Sequence, residues 1–151
     1  MPEDESISDP FWENLLEGYT EAVLNEREAT KTNIVHLLDE IKLADQNTQR
    51  ERKEIVANFR PSNEEFSLLE EIELLTVTLR GYANQIQAQG WIINETQVIE
   101  QLREIRVFRI PVIVQFYFGS NGKYEQIKGY IRMLDYLRLL MLEYLQYEQV
   151  N

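Results

Sequence analysis

The sequence predicts an all-α protein, a bundle of about four long antiparallel helices with an extended first helix. Three observations carry that reading. Apolar residues recur at spacings of three and four through most of the 151 residues, which is the helical period. Glycine and proline are scarce, at 6 and 4, so the chain is cut into long blocks. Blocks 62–89, 95–118 and 123–149 are similar in length, as antiparallel neighbours in a bundle should be.

Residues 1–8 read as an acidic, flexible terminus, and 9–151 as one helical domain. The first block opens at Asp9-Pro10. Asp accepts hydrogen bonds from the free amides of a first turn, and proline there has no amide to leave unpaired. A stripe follows through Trp12, Leu15, Leu16, Tyr19 and Val23, then Ile34, Leu37, Leu38 and Ile41, then Ile55, Val56 and Phe59. It thins between Ala44 and Arg52, where Thr48 and Arg52 hold the inward positions. One unbroken helix from 10 to 58 would be ~73 Å long, far beyond the ~15 Å radius of gyration expected at this size. The helix therefore breaks near Asp45-Gln46-Asn47 or projects. The mixed-sign run Arg50-Glu51-Arg52-Lys53 reads as a solvated face.

The second helix starts after Pro61, where Ser62 and Glu65 form a capping-box pattern, and Gly90 is placed to end it in a left-handed conformation. Phe66, Leu69, Ile72, Leu75, Leu79, Ala83 and Ile86 mark its buried side. In the third block Asn94 and Gln97 repeat the capping pattern. Residues 107–118 are ambiguous. They alternate like a strand, but Pro111 would remove a ladder hydrogen bond, and block length favours a helix kinked near Pro111 over a short β element. After Gly119-Ser120-Asn121-Gly122 comes a helix that is apolar over most of its circumference between 133 and 147. Such a helix is buried on more than one side.

No cysteine excludes disulfides, thiolate zinc sites and Cys nucleophiles, and a single histidine, His36, excludes di-iron and triad constellations. Gly119 to Lys123 lacks the spacing of a phosphate loop, and no hydrolase or dinucleotide fingerprint is present. The carboxylate pairs lie off the apolar stripes, where nothing raises their pKa for acid catalysis. The expectation is a non-enzymatic protein without cofactor or metal.

The net charge is −11, and residues 1–28 hold nine acids and one base. Phosphate backbones and anionic membranes repel such a surface. No segment reads as an export signal or spanning helix, so the expected location is intracellular. The expected partners are proteins, in a homo-oligomer or hetero-complex, and the expected role is an interaction subunit or adaptor. Its interface is placed on the last helix at Tyr130, Leu134, Leu137, Met141, Tyr144 and Leu145, because three other helices leave that helix's second side uncovered. Glu13, Glu17 and Glu21, one turn apart, are placed to recruit a basic partner. Two alternatives stand beside this reading. One is a bundle enclosing an apolar acidic small molecule, lined by 113–118 and 124–145, with Arg103, Arg106 or Arg109 as the anion site. The other is an acidic nucleic-acid mimic that inhibits a basic partner.

Overall fold

The computed structural model describes residues 10–105, 111–119 and 122–147. All regular structure in them is helical: α1 Pro10–Asn47, α2 Gln49–Asn58, α3 Glu64–Ala88, α4 Thr96–Glu104, α5 Pro111–Gly119 and α6 Glu125–Leu145. The third sequence block is two short helices rather than one kinked helix. Ile105 is extended, which ends α4, and Pro111 is the first described residue of α5. Residues 111–118 are therefore helix, not strand, and 107–110 lie outside the described residues.

The expected break in the first block falls at Thr48, and its cause is local. Thr48 Oγ1 donates to the Asp45 carbonyl at 2.7 Å, which competes with the helical ladder and bends it. The Thr48 amide is shared between the Ala44 and Asp45 carbonyls, both at 3.1 Å. Thr48 is fully buried, and Arg52 packs inward over it. The guanidinium donates to Thr48 Oγ1 at 2.8 Å and to Asp45 at 2.9 Å, and sits 5.6 Å from the Tyr130 ring centroid.

α6 is the hub. It packs against α1, α3 and α4, and its contact with α1 is the most extensive in the fold. Ile127, Ile131, Leu134, Leu137, Met141 and Leu145 are fully buried, Tyr130 and Tyr144 nearly so, and even off-stripe Leu140 and Leu142 are under cover. Each such side chain contributes ~1.5–3 kcal/mol on burial, which is why a helix apolar on several sides is stable in this position. Beyond its first turn, only a narrow strip through Arg132, Tyr136, Leu139 and Glu143 is exposed.

Local sequence sets the helix ends, though not always by the expected residue. α3 is capped by Asn63, whose Oδ1 accepts from the Glu65 amide at 2.9 Å, instead of by Ser62. Gly90 does adopt the left-handed conformation, at φ 79°. Its amide bonds the Gln87 carbonyl and the Trp91 amide bonds the Ile86 carbonyl, closing a Schellman motif. α4 has Glu95 at its N-cap position with no side-chain cap, and the Asn94 backbone amide donates to the Leu145 carbonyl at 2.7 Å.

Candidate functional site

Two acidic regions at opposite ends of the bundle hold the chain's candidate binding surfaces. The first is the N-terminal part of α1. α1 and α6 run antiparallel, so Thr30 meets Tyr147 just past the C-terminus of α6, hydroxyl to hydroxyl at 2.9 Å. Lys31 lies 5.3 Å above the Trp91 ring, in the turn after α3. The described ends of α3 and α6 therefore lie level with residues 26–31. N-terminal to that level α1 continues from Pro10 to Asn25, a rod of about 24 Å. Glu13, Glu17 and Glu21 fall on one line of this helix, at intervals of four. Glu21 is exposed, while the side chains of Glu13 and Glu17 are outside the described residues. Leu24 is also exposed.

The second region is a cleft of ≈ 270 Å³ at the other end, where α2 runs into α3 and α5 runs into α6. Its aromatic walls are Phe59, Phe116 and Tyr124, with the last two rings stacked at 5.3 Å and 22°. Glu64, Glu65 and Lys123 stand at its rim. It runs into a second depression of ≈ 350 Å³ that shares Phe59, Lys123 and Tyr124 and adds Arg50, Glu51 and Glu54. Tyr124 turns the chain into α6 with a φ of 58° and offers α6 no side-chain cap.

The cap comes from α2 instead. Glu51, nearly buried, accepts from the Ile127 amide at 2.9 Å and the Gln126 amide at 3.1 Å. A carboxylate there also meets the positive end of the α6 dipole. The Arg50–Lys53 run is thus not a uniformly solvated face: Glu51 and Arg52 turn inward, while Arg50 and Lys53 are exposed. Burial raises the Tyr124 phenol above its ordinary pKa, and the charges of Glu54, Glu65 and Glu51 raise it further.

The other sequence-predicted positions do not converge. Tyr130, Leu134, Leu137, Met141, Tyr144 and Leu145 are interior, covered by the chain's own helices rather than left for a partner. The Tyr130 hydroxyl meets Thr76 Oγ1 at 2.9 Å, and Thr76 in turn donates to the Ile72 carbonyl at 2.8 Å. The Tyr144 hydroxyl donates to the Trp91 carbonyl. Arg103 is exposed and donates to Gln146 at 2.8 Å, at the end of α6 remote from the cleft. Arg106 and Arg109 lie outside the described residues. His36 is exposed. Among the described residues, no group of His, Cys, Asp and Glu is arranged to hold a metal, and no helix is long and apolar enough to cross a membrane.

Sequence reasoning did not single out the cleft. Phe59 stands at the end of the first block's stripe and Tyr124 at the start of the last block, and only the turn of the chain brings them together. Comparisons with protein-family models, curated proteins and solved structures return no match.

Proposed function

We propose that this protein is a non-enzymatic interaction subunit that recruits a basic protein partner onto the N-terminal part of α1. The observation that carries the reading is the continuation of α1 about 24 Å beyond the level of the described ends of α3 and α6. That stretch has an apolar stripe in its sequence (Trp12, Leu15, Leu16, Tyr19, Val23), and Glu13, Glu17 and Glu21 run along the other side of the same helix. The stripe offers apolar anchors, and the acidic line offers a separate charged face that selects a basic partner.

Charge favours a different chain over a second copy. Residues 1–28 carry nine acids against one base, so pairing two copies here sets like charges together. Covering of α6 within the chain supports the same placement, because it leaves α6 little apolar area for an interface. The acidic-ligand alternative loses support on position, since Arg103 lies at the far end of α6 from the aromatic cleft.

The test is charge reversal. Glu13→Lys, Glu17→Lys and Glu21→Lys together should abolish co-purification of the partner from the native source and leave the fold unchanged. Undiminished co-purification would remove α1 from the interface. A nucleic-acid mimic would differ by losing its partner steeply with salt even when the apolar stripe is intact.

A further inference from the structure

The geometry points to the cleft at the α2–α3 and α5–α6 turns as a seat for one lysine or arginine side chain, presented by an extended basic peptide segment. Three features of the cleft specify a cation. Its walls carry the rings of Phe59, Phe116 and Tyr124, the last two stacked on each other, and an open aromatic face attracts ammonium and guanidinium groups. Glu51 is committed to the α6 amides, and the combined depressions still carry Glu54, Glu64 and Glu65 against Arg50 and Lys123. Two helices also end there, α2 at Asn58 and α5 at Gly119, and helix C-termini carry partial negative charge. The positive N-termini of α3 and α6 also open there, and they are offset by Glu64 and Glu65 and by Glu51 respectively.

The field at the site has an internal reporter. The Tyr124 phenol is raised chiefly by burial and then by three carboxylates, Glu54, Glu65 and Glu51. The space is small, ≈ 270 Å³, so it accommodates a side chain rather than a folded element. An extended occupant follows from the second depression, which continues the first across Phe59, Lys123 and Tyr124. A segment lying along both would place its cation among the aromatics and its backbone past Glu54. This site is separate from α1 and does not rest on the reading proposed for it.

The probe is a blocked five-residue peptide with one central lysine between alanines, titrated into the full chain and followed by amide NMR. Matched peptides carry norleucine or glutamate at the centre. The lysine peptide should shift Gln115, Gly119 and Tyr124, and the other two should bind more weakly or not at all. Glu54→Gln, Glu64→Gln and Glu65→Gln together should weaken the lysine peptide about five- to tenfold. The same charge removed elsewhere, by Glu40→Gln, Glu70→Gln and Glu104→Gln, should leave affinity unchanged. If the cleft triple loses its dispersed spectrum, Glu54→Gln alone should show about a twofold loss. The proposal is overturned by an undisturbed cleft at millimolar peptide, by equal binding of the norleucine peptide, or by equal losses in the cleft and control variants. None of these outcomes bears on recruitment through α1.

Discussion

Replacing Glu51 by alanine should be among the costliest single changes at a charged residue of this chain. The carboxylate satisfies two amides at the start of α6, and the Ile127 amide is buried, so no water can replace the lost acceptor. An unsatisfied buried amide costs ~1–3 kcal/mol. The Gln126 amide is on an exposed residue and, reaching water, loses less, ~0.5–1 kcal/mol. Loss of a negative charge at a helix N-terminus adds ~0.3–1 kcal/mol. Alanine is relieved of burying a carboxylate, which offsets part of the sum. The net expectation is ~2–3 kcal/mol for Glu51→Ala. Glu51→Gln keeps one acceptor and should lose about half as much, ~1 kcal/mol. Urea unfolding followed at 222 nm reads both, with unchanged slope. A Glu51→Ala midpoint within ~0.5 kcal/mol of the parent would refute the reasoning, because surface substitutions already fall in that range.

Other changes test other parts of the account. Leu137, fully buried at the hub, should lose ~2–5 kcal/mol as Leu137→Ala, and Leu137→Asp should unfold the isolated chain, both seen in the same urea assay. Gly90→Ala should cost ~1–2 kcal/mol and lower the thermal midpoint, because φ 79° disfavours any side chain although nothing crowds the site. Alkali should unfold the protein. Burial raises the phenols of Tyr130, Tyr144 and Tyr147 above their ordinary 10.0, so the fold holds the neutral form more tightly than the unfolded chain does. That stabilisation is complete below about pH 10 and is lost as pH rises through the folded values. Tyrosine absorbance at 295 nm should show these groups ionising together with loss of helix. Ordinary titration at 10 with the helix intact would contradict it.

Much of the fold was legible because it is written in short-range patterns. The stripe of α1 at Ile34, Leu37 and Ile41, most of the stripe of α3, the inward turn of Thr48 and Arg52, the left-handed Gly90 and the exposed His36 all follow from period and local backbone chemistry, whereas Val56 is exposed and Leu68 is buried against the reading. What failed depended on partners remote in sequence. Glu51 caps a helix 75 and 76 residues away, and nothing adjacent to Gln126 or Ile127 announces it. α6 was correctly seen as apolar on several sides, yet the stripe itself does not say whether α1, α3 and α4 or another chain covers it. The cap of α3 moved by one residue, from Ser62 to Asn63, because neighbouring residues of similar capping chemistry compete for one end, while α4 begins with no side-chain cap at all. Block length misled at Pro111, where two short helices fill the span assigned to one kinked helix. The cleft was invisible for the same reason as Glu51: Phe59, Phe116 and Tyr124 belong to three separate elements.

The central claim is that the chain closes its own last helix and meets its partner through α1. Site-directed photo-crosslinking in the native source tests this most directly, with the reactive side chain at Tyr19 on α1 or at Leu139 on the outward strip of α6. The account predicts a crosslink to a basic protein from Tyr19 that disappears when Glu13, Glu17 and Glu21 are reversed, and none to another chain from Leu139. A strong intermolecular product from Leu139 with none from Tyr19 would contradict it.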